Sequence, residues 1–255
     1  MESGNIAIIG GTGFEQLPPE IYFEPIEVET STGPVSVLSL ANNYVEPASL
    51  YYVSRHGKMH GLAPHQIDYS ANIAALAELN VKYILATNAV GSLRTNLQPG
   101  ELVLLDDFID FTRNRSLTYY GKRTNWKHTD FSVPYSTTVR TAVQHTAAEL
   151  GVRLHTRATY LCVDGPRFET PAEVRLFASW GADVVGMTGL PEAVFAREAG
   201  MEYAAIGVVT NLASGLTSGY VSHEEVVTVM NDKLSLVREL LIRSCSAIPH
   251  HQRDF

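Results

Sequence analysis

Ala158-Thr159-Tyr160-Leu161-Cys162-Val163 runs directly into Asp164-Gly165-Pro166-Arg167-Phe168-Glu169-Thr170-Pro171-Ala172-Glu173. A little further on, Ala182-Asp183-Val184-Val185 runs into Gly186-Met187-Thr188-Gly189-Leu190-Pro191-Glu192. In both, a β-rich apolar run breaks into glycine, proline and charge. That is the pattern of a strand delivering functional groups to one rim of a sheet, which in α/β folds is where ligands bind. The first rim offers a carboxylate beside an aromatic ring, the second a hydroxyl beside a thioether. Together they suit a flat polar heterocycle on one side and an anion or sugar on the other.

Working outward, the same alternation of strand and helix fills the chain. Ile6-Ala7-Ile8-Ile9 reads as a strand followed by the glycine turn Gly10-Gly11-Thr12-Gly13. Strand patterns recur at Val35 to Leu40, Leu50 to Val53, Tyr83 to Ala86, Val103 to Leu105 and Ala204 to Val209. Helical spacing predicts helices over Tyr69 to Leu79, Thr137 to Leu150, Pro171 to Trp180, Pro191 to Ala199 and Glu224 to Arg243, the last capped by Ser222. Arg113 to Pro134 is a long polar and aromatic stretch without periodicity, of the kind that serves as a lid or a subunit contact. No linker or composition break interrupts the pattern. The expectation is one α/β domain over residues 1–255.

Composition bounds the function classes. The 255 residues are 45% hydrophobic and 18% charged, an ordinary globular balance. A net charge of −8 disfavours a surface that coats nucleic acid. No apolar run reaches the roughly 18 residues of a membrane span, and no signal-like N-terminus is present. Cys162 and Cys245 form no CxxC pattern and read as reduced thiols. A cytoplasmic enzyme is expected.

Single motifs are modest. The glycine turn can cradle a phosphate on its backbone N–H groups, with Thr12 adding a hydroxyl. It lacks the dinucleotide fingerprint, because Gln16 stands where the third glycine belongs, and no P-loop lysine follows. As it stands, it is an anion cradle or a simple tight turn. Arg55-His56 at a strand end pairs a guanidinium fork with an imidazole, a natural anion clamp. His56, His60 and His65 suggest a metal set, but Gly57, Gly61 and Pro64 prevent a helix from aligning them. No metal is expected. Asn88-Ala89 reads as a ligand contact or a turn, and His223-Glu224-Glu225 misses the second histidine of a zinc helix.

In order, GGTG (10–13), SRHG (54–57), TNAVGS (87–92), DGPRFET (164–170), GMTGLPE (186–192) and VTN (209–211) resemble the trimeric purine nucleoside phosphorylase and methylthioadenosine phosphorylase family. The resemblance runs from Ile6 to at least Val229, and its most specific part is the GPRFET and GMTGLPE pair. It implies one α/β domain with a mixed, partly barrel-like sheet flanked by helices, and a homotrimer. It also implies reversible phosphorolysis of a purine nucleoside without metal or organic cofactor, phosphate being co-substrate. Carried over by position, Thr12, Arg55, His56, Asn88, Ala89 and Thr188 correspond to the phosphate site. Met187 corresponds to the ribose contact and Phe168 to the ring packing on the base. Glu169 and Asn211 correspond to the pair that reads the purine, with Ala213 close by. His128 corresponds to a residue lent to a neighbour's site. Asn211, Arg55 and His56 form the expected catalytic set.

Chemistry sharpens the substrate. A 6-oxopurine presents N1–H, which the Glu169 carboxylate can accept, whereas adenine presents a bare acceptor there. Such a buried mismatch costs on the order of 1–3 kcal/mol. The 6-aminopurine branch resembles an aspartate at the Asn211 position, which this chain lacks. His223 falls where nucleoside-specific members meet a 5′-hydroxyl, while the SRHG form of the clamp and His128 resemble the methylthio branch. The sequence therefore predicts a 6-oxopurine phosphorylase acting on inosine or guanosine, or on S-methyl-5′-thioinosine. Methylthioadenosine phosphorolysis and a non-catalytic purine-binding regulator are the alternatives.

Overall fold

The computed structural model describes residues 4–11, 23–31, 33–40, 48–57, 61–121 and 126–249. Thr12 and His60, both singled out above, lie outside them. Eleven strands form one mixed sheet: β1 (Asn5–Gly10), β2 (Phe23–Thr30), β3 (Gly33–Leu40), β4 (Leu50–Ser54), β5 (Val81–Ser92), β6 (Leu102–Leu104), β7 (Asp107–Asp110), β8 (Leu154–His155), β9 (Thr159–Cys162), β10 (Val184–Gly186) and β11 (Glu202–Leu212). The helices are α1 (Tyr69–Glu78), α2 (Thr137–Glu149), α3 (Pro171–Ser179), α4 (Glu192–Glu198) and α5 (His223–Ala247).

The period-2 alternation of the strands divides the core between two faces. On β1, Ala7 and Ile9 enter one apolar cluster, which also holds Ile73 and Leu76 of α1 and Phe195 of α4. Ile6 and Ile8 enter the other, with Val139 and Val143 of α2 and Val237 and Leu240 of α5. A sheet buried on both faces needs continuous apolar strands, and β1 and β5 supply them.

β5 organises the sheet because it changes partner along its length. One edge pairs with the parallel strand β11 from Tyr83 to Ser92. On the other edge, β1 pairs with residues up to Ala86. Beyond that, β10 pairs antiparallel with Gly91 and Ser92. Among the described residues, no strand pairs with residues 87–90 on that edge, so a crevice opens there. The sheet also curls into a ring. β6 pairs with β11, β7 with β9, and β9 with β10, while β6 and β7 are separated by only Leu105 and Asp106. That bent segment carries the sheet from β11 to β9, which is the partly barrel-like form expected. Gly207 allows the closest approach, because a methyl there would lie 2.7 Å from Val103 Cγ2.

The expected helices are present, with ends within a few residues of the expected positions. Ser222 caps α5 by accepting from the Glu225 N–H, and Thr170 and Glu173 form a capping box on α3. Two expectations need correcting. The strands expected to end at Ala86 and Val209 run on through Thr87 to Ser92 and Thr210 to Leu212, paired to one another through Leu212 and Ser92. Of their polar side chains, Thr210 and Asn211 line the cavity while Thr87, Asn88 and Ser92 are buried, which interrupts the apolar pattern without ending the strand. The segment from Arg113 to Pro134 carries no helix or strand among its described residues.

Candidate active site

The crevice on β5 widens into a cavity of about 480 Å³, within the range of small-molecule sites. It is built where the ends of β1, β4, β9, β10 and β11 meet the unpartnered stretch of β5. Arg55, His56, Ala89, Phe168, Glu169, Met187, Thr188, Asn211 and His223 all line it, so nine of the positions proposed from sequence converge on one space. Asn88 stands just behind, its Nδ2 donating to Thr188 Oγ1 at 2.9 Å. The Thr188 hydroxyl, having accepted, keeps its own proton for a ligand.

Of the other expected positions, one is placed away from the cavity. Ala213 is buried in a small apolar cluster with Leu93, Val174 and Phe177 and does not line the cavity. β11 ends at Leu212, so Ala213 no longer follows the strand's alternation and packs into that cluster. His128 lies on the exposed loop, edge-on to Trp126 with ring centroids 5.1 Å apart, and takes no part in this chain's own cavity. Thr12 is outside the described residues.

One end of the cavity is rich in donors. Thr87 turns its carbonyl to the crevice edge, where it accepts from Arg55 Nη1 at 2.7 Å. Two residues further along the same strand, Ala89 has the same orientation, so its backbone N–H faces the crevice. The Arg55 fork is not free, however. Nε and Nη2 donate to the two carboxylate oxygens of Glu192, each at 2.7 Å, and the pair is wholly buried. Three of the five guanidinium N–H donors are thus engaged. Burial alone would favour the neutral guanidine, but the Glu192 carboxylate outweighs it and holds Arg55 above its ordinary value. Gly11 completes this end: a methyl on it would lie 2.8 Å from Arg55 Nη1, so only glycine lets the chain pass the guanidinium. His56 is fixed by a 2.8 Å contact from Nδ1 to the Leu62 carbonyl. A carbonyl accepts only, so Nδ1 carries a proton.

The other end presents a carboxylate and an amide. Glu169 is buried, and desolvation pushes its carboxyl above the usual range. It follows Phe168 and precedes the α3 capping box, so the helix start fixes its backbone. Its neighbour Glu173 has the opposite character: two bonds from Arg167 and the capping bond hold it down at about 2. Asn211 is oriented by its own strand. Oδ1 accepts from the Thr210 hydroxyl at 2.8 Å and Nδ2 donates to the Leu212 carbonyl at 3.1 Å. An amide oxygen could not face that carbonyl, so the NH2 is unambiguous and keeps a second N–H. Between the two ends, Met187 packs over Gly165, where a methyl would lie 2.5 Å from the Met187 sulfur. His223 and Val226, from the start of α5, line the cavity from a further side.

A donor-rich anion end, an apolar middle and a carboxylate–amide end match a nucleoside and a phosphate held together. The sequence profile of the Phosphorylase superfamily matches residues 5–245. The chain belongs to this superfamily. It is 41% identical over 254 residues to the 6-oxopurine nucleoside phosphorylase of Pyrococcus furiosus, covering 97% of this chain and 94% of that one. To the probable S-methyl-5′-thioinosine phosphorylase of Methanopyrus kandleri it is 39% identical over 245 residues, covering 96% and 93%. Among solved structures, methylthioadenosine phosphorylase from Schistosoma mansoni in complex with adenine superposes with a TM-score of 0.90 at 28% identity, covering 98% of this chain and 93% of that one.

In this member of the phosphorylase superfamily, sequence reasoning missed the residues that support the cavity from behind. Glu192 and Tyr203 are two, and Arg115 is the third. Arg115 leaves the long aperiodic segment and tucks its guanidinium beneath the site, with a nearly buried side chain. Nη2 donates to the carbonyls of Met187 at 2.6 Å and Asp164 at 3.0 Å, and Nη1 donates to that of Leu190. One cation therefore ties the loop after β9 to the loop after β10. An arginine in an irregular polar stretch gives no local signal of such a role. A further bond from Nη2 reaches the Val163 carbonyl at 3.4 Å, so replacement by methionine leaves four carbonyls without this donor. Arg115→Met is expected to lose about 2–4 kcal/mol of stability by the usual cost of orphaned, charge-assisted bonds. Arg115→Lys, too narrow to span the carbonyls, is expected to fall in between. Urea unfolding of the three proteins measures this, and coincident midpoints would show that the staple carries no stability.

Proposed function

We propose that this enzyme catalyses reversible phosphorolysis of 6-oxopurine nucleosides, yielding the free base and a pentose 1-phosphate. The observation that carries the reading is the pairing, in one cavity, of the buried Glu169 carboxyl with the oriented NH2 of Asn211. A 6-oxopurine offers N1–H to the carboxylate and N7 to the amide. Phosphate occupies the end formed by Arg55, His56, Ala89 and Thr188, where it faces the anomeric carbon. Rupture of the glycosidic bond makes the sugar cationic and the base anionic. The phosphate stabilises and then captures the sugar, and Asn211 donates to N7 as charge builds there. Inorganic phosphate is the co-substrate, and this chemistry calls for no metal or organic cofactor.

A second reading, phosphorolysis of S-methyl-5′-thioinosine, is favoured by Val226, an apolar wall beside His223 in the cavity. Both readings share the base end. Association into a homotrimer is supported by the exposed apolar residues Leu117, Trp126 and Val133 on the long segment, a surface suited to a second copy. The buried free thiols of Cys162 and Cys245 support a reducing, cytoplasmic setting.

Base release from inosine, guanosine, S-methyl-5′-thioinosine and S-methyl-5′-thioadenosine, each with and without phosphate, tests the assignment. Release from the 6-oxopurine nucleosides only when phosphate is present is the expected result. Equal rates in phosphate-free buffer would make the enzyme a hydrolase. A tenfold preference for S-methyl-5′-thioadenosine would overturn the base assignment. His223→Met then separates the two readings of the 5′ end. Loss of a hydrogen bond to the 5′-hydroxyl is expected to lower kcat/KM for inosine several-fold, about 1 kcal/mol, while sparing S-methyl-5′-thioinosine. An unchanged ratio of the two specificity constants would remove His223 from substrate recognition.

The raised Glu169 carboxyl sets a pH signature. The ionised form is the stronger acceptor for N1–H, so kcat/KM for inosine should fall as pH drops through a value above that of an ordinary glutamate. Protonated Glu169 donates instead, which suits the bare N1 of a 6-aminopurine, so relative turnover of that class should rise over the same range. The stability effect has a defined sign. The native chain binds this proton more tightly than the unfolded one, so stability falls as pH rises from the ordinary glutamate value through the raised one. Profiles of wild type and Glu169→Gln check this, and a limb that survives in the variant belongs to another group.

A further inference from the structure

We propose that Glu192 is the positioning residue of the phosphate site, holding Arg55 edge-on so that its remaining N–H donors are aimed at the anion before it arrives. The inference rests on the proposed phosphorolysis and concerns a residue to which that reading gives no role. Glu192 closes the GMTGLPE motif and opens α4, and its side chain is wholly buried. It does not line the cavity, so it can act on a ligand only through another group.

Its two oxygens hold Arg55 Nε and Nη2 at 2.7 Å each, and Tyr203 donates its hydroxyl to Oε1 at 2.8 Å. The Thr87 carbonyl fixes the third contact on Nη1. A guanidinium is planar, so three bonds define both its position and its plane, and the two remaining donors have set directions. Burying such a pair does not by itself favour folding, because desolvation offsets most of the attraction. Orientation is what this arrangement supplies. A lone arginine at the end of β4 would sample many rotamers and would lose that freedom on meeting phosphate.

The test keeps charge and changes geometry. Glu192→Asp retains the carboxylate but withdraws it by one carbon–carbon bond, roughly 1.5 Å. The KM for phosphate is expected to rise about tenfold while that for nucleoside stays within about twofold. In an Arg55→Lys background, which has no fork to orient, Glu192→Asp should add less than about twofold to the phosphate KM. The same factor in both backgrounds, an equal rise in both KM values, or a fall in melting temperature with unchanged kinetics would each overturn the proposal. Should Glu192→Asp fail to fold, Tyr203→Phe removes only the third bond on the carboxylate, and a phosphate KM raised about threefold is expected. An unchanged phosphate KM in that variant would overturn the proposal as well. Phosphate-independent base release by the wild-type enzyme would instead sink the proposed function, so the two failures are distinguishable.

Discussion

A strand edge can hold only one neighbour at a time, and β5 changes neighbours part-way along. β1 accompanies it up to Ala86 and β10 from Gly91 onward. The intervening backbone must find other partners, because buried peptide groups are costly when unpaired. Thr87 finds Arg55, and the Ala89 N–H is left facing a cavity. The site is the consequence of this handover rather than an addition to it. Both rim loops, the glycine turn and the end of β4 arrive there because their strands end where the neighbours part. The ring formed through β6 and β7 closes the far side and keeps the fork from flattening.

Arg55 converts that geometry into electrostatics. Its partner Glu192 lies 137 residues away in sequence, and the pair meets only because α4 starts next to the end of β4. The ion pair is near neutral as a unit, so an arriving anion gains directed N–H groups more than net positive charge. On the proposed reading, such a site binds phosphate and releases its product without trapping either. Arg115 performs a similar task for the two rim loops, tying their carbonyls together from beneath. The two buried arginines therefore organise the cavity, one from its wall and one from its floor.

The pattern of what was legible follows from range. Strand ends marked by glycine, proline and charge are local signals, so Phe168, Glu169, Met187 and Thr188 could be placed on a ligand-facing rim from sequence, and they line the cavity. Helix caps are equally local, as Ser222 shows. A polar residue within a buried strand resembles a loop residue, so Asn88 was equally readable as part of a turn, and Asn211 lay past the expected end of β11. Their roles were reached through motif order, not through local pattern. Ala213, just past the end of β11, packs into an apolar cluster instead. Glu192, Tyr203 and Arg115 were beyond reach, because their roles come from partners that lie 11 to 137 residues away. Nothing in the composition around them differs from an ordinary helix start, a buried strand or a polar loop.

On the proposed reading, the two residues that meet the base contribute differently to rate. As the glycosidic bond breaks, negative charge flows into the imidazole ring of the purine, and the bond from Asn211 to N7 strengthens. The same charge makes N1–H a poorer donor, so its bond to Glu169 weakens or at best holds. Asn211 therefore binds the transition state better than the ground state, which lowers the barrier. Glu169 binds both states and sets which base enters. The structure separates them accordingly. Asn211 is locked by Thr210 and Leu212, as a group that must be aligned when charge appears. The Glu169 carboxyl is bonded to its own backbone and feels its neighbours' charges but, among the described residues, is gripped by no other side chain. That freedom suits a group that selects among bases, and the rigidity of Asn211 suits one that stabilises the departing anion.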